Sequence, residues 1–117
     1  MKLLNGATAN GTYPALQFAE DANIHRNQTL HWFYASGTIN GATIVVQISP
    51  DGLNIAEGGS DTNAALNANS RWFNLADTIG TISALPAYGS SLAKFRKARA
   101  VVSGAGASTN VTLEVVG

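Results

Sequence analysis

Apolar and polar residues alternate along much of this chain with a period of two, which is typical of β-strands that bury one face. The alternation is clearest in residues 42–49 and 111–115, and it recurs in residues 30–35 and 95–102. These four segments are predicted as the main strands, and helix signals are poor by comparison. Weaker alternation predicts shorter strands at residues 2–4, 15–18, 53–56 and 71–75.

Turn residues separate the predicted strands at short intervals. Asn40-Gly41 suits the positive φ angles of a tight hairpin turn between residues 34–39 and 42–49. The small-residue loop 103–109 is expected to join the last two strands as a second hairpin. Residues 83–91, which contain a proline and a glycine, are expected to form another loop.

Short strands joined by frequent turns are the pattern of an all-β sandwich or barrel. We predict an all-β fold, an antiparallel β-sandwich that is jelly-roll-like, as a single domain over residues 1–117 with residues 1–29 as a candidate N-terminal arm. The alternation also predicts the core, which should contain Ile44, Val46, Ile48, Val111, Leu113, Val115 and one of Trp32 or Phe33.

The composition narrows the classes of function. Charged residues make up 12% of the chain, about half the usual share of ~25%, and the net charge is zero. A surface of small neutral residues loses little on desolvation, so it can be buried against a partner. Zero net charge argues against general nucleic-acid binding. The absence of cysteine excludes disulfides and thiolate metal sites.

No targeting or membrane segment is predicted. The N-terminal apolar stretch is too short for a signal peptide, and no apolar run approaches the ~18 residues of a membrane span. We therefore expect synthesis and folding in a cytoplasm and no membrane partner.

Candidate catalytic or metal-ligating groups are scarce. Asp51 and Asp61 fall in predicted turns, where aspartate commonly bonds to the backbone. His25 and His31 are six residues apart and lack the spacing of a metal pair on one element. No nucleophile elbow, phosphate loop or dinucleotide fingerprint occurs. We predict that the chain is not an enzyme, has no catalytic residues, and needs no metal or organic cofactor.

One basic cluster stands out. Lys94, Arg96, Lys97 and Arg99 supply four of the seven basic residues of the chain. One interpretation is a solvated strand face that discourages edge-to-edge pairing. The other is a partner-binding patch for an acidic surface, because arginine grips carboxylates with two hydrogen bonds.

The aromatic residues also allow two interpretations. Trp32, Tyr34, Trp72 and Phe73 are favoured as core residues, because aromatic burial dominates the energetics of a small core. The alternative is a stacking platform for a carbohydrate. His31 lies on the strand face opposite Trp32 and is expected to be partly exposed.

Two segments resemble the small β-sandwich virion proteins of tailed bacteriophages. Residues 36–52 read SGTINGATIVVQISPDG, similar to a recurrent hairpin in those proteins, and residues 99–113 read RAVVSGAGASTNVTL, similar to their closing hairpin. With the predicted strand at 71–75, the resemblance covers the chain from about residue 30 to the C-terminus. It rests on strand and turn patterns and includes no catalytic signature.

The resemblance implies a structural protein of the virion that decorates or cements the capsid. Its partners would be the major capsid protein and further copies of itself, with a trimer favoured, and its location would be the capsid surface after synthesis in the host cytoplasm. Related sandwiches also serve in tails, fibres and head–tail junctions, so these positions stay open. A carbohydrate-binding module remains the alternative from a different class.

Overall fold

The computed structural model describes residues 1–17, 30–51, 60–61 and 70–116, and strands dominate them. Helical structure within these ranges is limited to a single 3-10 turn, η1 (Thr78–Gly80). The strands are β1 (Lys2–Ala7), β2 (Gly11–Thr12), β3 (Ala15–Gln17), β4 (His31–Thr38), β5 (Thr43–Ser49), β6 (Ser60–Asp61), β7 (Phe73–Asn74), β8 (Thr81–Ile82), β9 (Ala87–Ser91), β10 (Lys97–Ser103) and β11 (Asn110–Val116).

The strands form two antiparallel sheets that enclose one core. Sheet I has the order β1-β11-β4-β9. Sheet II has the order β6-β3-β10-β5-β7, with β2 also paired to β10 and β8 to β5. The chain passes from one sheet to the other between β3, β4 and β5 and again between β9, β10 and β11, which is the strand distribution of a jelly roll. The predicted all-β, jelly-roll-like sandwich is confirmed.

The four main strands predicted from the alternation are confirmed as β4, β5, β10 and β11. The tight turn at Asn40-Gly41 is also present: the two φ angles are 42° and 85°, and the amide of Ala42 donates to the carbonyl of Ile39 at 2.9 Å.

The two predicted hairpins are wrong, because the strands on either side of each turn lie in opposite sheets. β4 pairs with β11, and β5 pairs with β10 over residues 43–49 and 97–103. Alternation determines which side chains face inward. The same side chains are buried whether the second strand pairs with the first in a hairpin or crosses to the other sheet. The turn therefore gives no information about the hydrogen-bonded partner.

Among the weaker segments, three contain strands: 2–4 lies in β1, 15–18 begins with β3, and 71–75 contains β7. The segment at 53–56 lies outside the described residues. Residues 83–91 were expected to form a loop, and this is wrong because Ala87–Ser91 is β9. Gly89 suggested a loop, but a Cβ there would lie 3.0 Å from the Cβ of Ile79, so the glycine lets η1 pack on the strand.

The first seventeen residues are part of the sandwich. β1 pairs with β11, and β2 and β3 pair with β10. The amino group of Met1 donates to the carbonyl of Val115 at 3.0 Å, which ties the N-terminus to sheet I. Residues 2–17 therefore belong to the sandwich and do not form the N-terminal arm that was predicted for residues 1–29. Residues 18–29 lie outside the described ranges.

The core lies between the two sheets and contains the predicted apolar set. Ile44, Val46, Val111 and Leu113 are fully buried, and of the pair Trp32 and Phe33 it is Phe33 that is buried. Val115 is also buried, whereas Ile48 is only half-buried against the same cluster. Along most of β4, β5 and β11, alternate side chains thus point into the core and the others lie on an outer surface.

Candidate functional site

The outer surface of sheet I carries large apolar side chains that no part of the described chain covers. On β4, His31, Phe33 and Ala35 point inward and are buried, so the alternate residues point outward. These are Trp32 and Tyr34, which are 48% and 47% exposed. The prediction that they belong to the core is wrong: β4 is apolar on both faces, and a strand of that kind gives no signal about which face is covered.

Neighbouring strands extend this apolar surface. Tyr34 lies opposite Tyr88 on β9 and opposite Glu114 on β11, and Trp32 lies opposite Val116. Directly opposite side chains of an antiparallel pair start only about 4.5–5.5 Å apart, so they form one continuous surface. We call this surface the aromatic face, and its exposed members are Leu30, Trp32, Tyr34, Tyr88, Leu92 and Val116.

Six of the eight exposed large hydrophobic residues in the described part of the chain belong to the aromatic face. Its six members are between 40% and 74% exposed, which leaves on the order of 500 Å² of apolar side chain in contact with solvent. The largest apolar patch on a typical soluble monomer covers about 300–600 Å², and such patches are often functional. The aromatic face is therefore the leading candidate for a functional surface.

The other pair of aromatic residues lies on the opposite sheet. Phe73 on β7 is 55% exposed, which again differs from the predicted core position. Trp72 is half-buried beneath two cations: the guanidinium carbon of Arg99 lies 4.1 Å from its ring centroid, and the Nζ of Lys97 lies 5.3 Å from it. The four aromatic residues proposed as one platform thus divide between two faces of the sandwich.

The basic cluster does not form one exposed patch. Lys97 is fully buried, and its ammonium donates to the Oγ of Ser70. Arg99 is half-buried and donates from Nε to Oε1 of Gln47 at 2.8 Å. Burial lowers the pKa of Arg99 from its ordinary value, although an arginine stays charged at neutral pH. Of the four predicted partner-binding residues, Lys94 is exposed and Arg96 is half-buried.

Asp51 and Arg71 form an ion pair at the two ends of the segment between β5 and β7. The guanidinium donates to Oδ1 at 2.7 Å and to Oδ2 at 3.2 Å, and the backbone amide of Arg71 donates to Oδ2 at 2.7 Å. These hydrogen bonds to the charged carboxylate lower the pKa of Asp51 from 3.8 to about 2.

We expect the Asp51 carboxyl to titrate with a midpoint of about 2 in a carbon-detected NMR experiment. The lowered pKa means that the pair stabilises the folded chain above about pH 4, and that this contribution is lost as the pH falls toward 2. Arg71→Gln should return the midpoint toward 3.8, because it removes the guanidinium. An unchanged midpoint in that variant would show that the ion pair is not the cause.

His31 is buried, which corrects the expectation of partial exposure. Its ring packs on Phe95 with the centroids 4.6 Å apart, and burial lowers its pKa. Within the described ranges, no group of three histidine, cysteine or carboxylate residues is placed to hold a metal ion. The same ranges contain no helix long and apolar enough to cross a membrane.

A cleft of about 620 Å³ opens between the η1–β8 segment and β9. Asp77 stands at its edge, and the Oγ of Ser91 donates to its Oδ2 at 2.5 Å. The cleft was not predictable from the sequence, because one of its walls is β9, where a glycine and a preceding proline favour a loop. Its polar or aromatic lining residues are Asp77, Thr78, Thr81, Ser83, Tyr88 and Ser90.

Comparison of the chain with protein-family models, with curated proteins and with solved structures finds no match.

Proposed function

We propose that this chain is a structural component of a bacteriophage virion, which decorates or cements the capsid by binding the major capsid protein and further copies of itself. In this proposal the chain catalyses no reaction and needs no cofactor, and it acts at the capsid surface after synthesis in the host cytoplasm. The observation that carries the proposal is the aromatic face, because it gives a small jelly roll a large surface suited to burial against protein.

The chemistry of the aromatic face favours a protein partner. Leu30, Leu92 and Val116 are aliphatic and offer no hydrogen bonds, so they suit the dry centre of a protein interface. Standard interfaces bury about 800 Å² per partner, and the ~500 Å² of the aromatic face would supply much of that area. The low charge of the whole chain keeps the cost of desolvation around it small.

Lys94 and Arg96 of the basic cluster are suited to a charged rim beside the aromatic face. Lys94 is exposed and Arg96 is half-buried, and both lie on the connection that follows Leu92 of the aromatic face. Rim charges act mainly on the rate of association and on its dependence on salt. We therefore assign the contact with an acidic capsid surface to Lys94 and Arg96, while Lys97 and Arg99 hold Trp72 in place.

Other positions in the virion use the same kind of surface. A tail, fibre or head–tail component would also bury an apolar face against protein. Copy number distinguishes these positions, because a decoration protein is present in proportion to the major capsid protein and a junction protein is present in only a few copies.

A carbohydrate-binding module is the second candidate, and the cleft beside β9 is the observation that favours it. The cleft combines one carboxylate, several hydroxyls and the 74% exposed ring of Tyr88, which together suit a polyhydroxylated ligand. Glycan-array binding that is lost in Asp77→Asn would support this candidate. It would do so most strongly if the chain were absent from particles.

The proposal is tested on gradient-purified particles from cells that carry the gene for this chain. The ratio of this chain to the major capsid protein should be fixed in wild-type particles, and Trp32→Ser should lower it several-fold. Phe73→Ser is the matched control, since Phe73 is equally exposed but lies on sheet II. Absence of the wild-type chain from particles would overturn the proposal, and equal loss in both variants would remove the aromatic face from it.

A further inference from the structure

We propose that the aromatic face binds the same face of a second copy of this chain, related by a two-fold axis that runs parallel to the strands. This deepens the proposed function and rests on its self-association. It adds the surface, the symmetry and the residues in contact.

The register of sheet I places two charged and two aromatic residues in one row on its outer surface. In this row each residue lies directly opposite the next on the neighbouring strand. The order is Lys2 on β1, Glu114 on β11, Tyr34 on β4 and Tyr88 on β9. Their side chains share the outer surface, because the residues beside them in β4 and β11 point into the core. The row therefore runs from a cation and an anion at one edge to two phenol rings at the other.

When the row of one copy faces the row of a second copy that runs in the opposite direction, complementary side chains lie opposite one another. A two-fold axis along the strands, midway between β11 and β4, reverses the row in the second copy. Lys2 then faces the partner's Tyr88, where an ammonium is attracted to a ring face. Glu114 faces the partner's Tyr34, whose hydroxyl can donate to the carboxylate. Each contact occurs twice, as in any isologous interface.

The next row repeats the complementarity with apolar groups. Val116 and Trp32 are opposite one another on β11 and β4, so the same rotation places Trp32 over the partner's Val116. Two faces of this size bury about 1,000 Å² in total, which reaches the lower limit for a specific interface. Stacked sheets of this kind pack with their strands about 30° from parallel.

The alternative symmetries fit less well. A two-fold axis across the strands would place Glu114 over the partner's Glu114 and Lys2 over the partner's Lys2, and like charges in such positions are destabilising. A trimer, which the family resemblance favours, would need a second, different surface to meet the aromatic face. The charge pattern of the row thus favours the dimer with its axis along the strands.

The first test is the mass in solution. Sedimentation equilibrium of the full chain from micromolar to millimolar concentration should show twice the monomer mass at the upper end. Trp32→Ser and Glu114→Lys should each weaken the association by at least about tenfold. Phe73→Ser should leave it unchanged. A monomer at all concentrations, or a trimer, would overturn the inference.

The second test determines the axis. The chain has no cysteine, so single cysteines can be introduced at the two ends of the row, Lys2 on β1 and Tyr88 on β9, which lie three strand spacings, about 14 Å, apart. A short bismaleimide should join Lys2→Cys to Tyr88→Cys when the two variants are mixed. It should join neither variant to itself, because the axis leaves each position at least about 14 Å from its own copy, and self-linking of Tyr88→Cys would contradict the axis.

The two proposals fail separately. A dimer with this crosslinking pattern that is absent from particles would leave the inference standing and overturn the virion function. A chain that is abundant in particles but monomeric or trimeric in solution, without the mixed crosslink, would do the reverse.

Discussion

Replacing Phe33 with alanine is expected to destabilise the protein by about 3–5 kcal/mol, whereas Trp32→Ala should cost less than about 1 kcal/mol. The two aromatic residues are adjacent on β4, but Phe33 is fully buried between the sheets and Trp32 is 48% exposed on the aromatic face. Truncation of Phe33 removes apolar burial and leaves a cavity, while truncation of Trp32 removes side chain that water already contacts.

Urea denaturation followed by circular dichroism measures both free energies of unfolding. The experiment is done at low concentration, because self-association through Trp32 would raise the apparent stability of the wild type. Phe33→Leu, which keeps most of the volume, should lose only about 1–1.5 kcal/mol and serves if Phe33→Ala does not fold. Similar losses at positions 32 and 33 would contradict the assignment of the two faces of β4.

Gly37→Ala is expected to cost more than about 3 kcal/mol. Gly37 lies on β4 opposite Val111, with a φ of 112° that residues with a side chain rarely adopt. A Cβ at this position would also lie 2.0 Å from the carbonyl oxygen of Asn110, which is part of the backbone of β11. Relief of that clash requires β4 and β11 to separate, and these are the two central strands of sheet I.

The control for this variant is Gly11→Ala. Gly11 also has a positive φ, of 151°, but a Cβ there meets no heavy atom within 4 Å. It should therefore cost only the backbone strain, about 1–2 kcal/mol. Thermal unfolding of the two variants in parallel separates the clash from the strain, and equal losses would show that β11 does not approach Gly37 so closely.

The inward faces of β5 and β11 were predictable because apolar and polar residues alternate along each of these two strands. In these strands the apolar residues on the predicted inward face, such as Val46 and Leu113, are all buried except Ile48, which is half-buried. The pairing of strands was not predictable in this way. Asn40-Gly41 dictates a tight turn, but whether the next strand pairs or crosses to the other sheet depends on contacts with β10 and β11, more than fifty residues away.

The candidate site was harder to predict, because exposure depends on what covers a surface. The alternation along β10 places Lys97 on the polar face of the strand. Ser70 and Trp72 lie against Lys97, however, and its side chain is buried. Trp32 has a large aromatic side chain of the kind that usually lies in a core, but nothing in the described part of the chain packs on the outer surface of sheet I. The order of apolar and polar residues within one strand does not show whether other residues cover the outer face of that strand.

The central claim is that the aromatic face is covered in the assembled protein, and hydroxyl-radical footprinting tests it most directly. Oxidation of Trp32, Tyr34 and Tyr88 is measured by mass spectrometry in the dilute chain and in the assembled state, with Phe73 on sheet II as the internal reference. We expect the three rings of the aromatic face to become protected on assembly while Phe73 stays reactive. Equal reactivity of all three rings in both states would contradict the account.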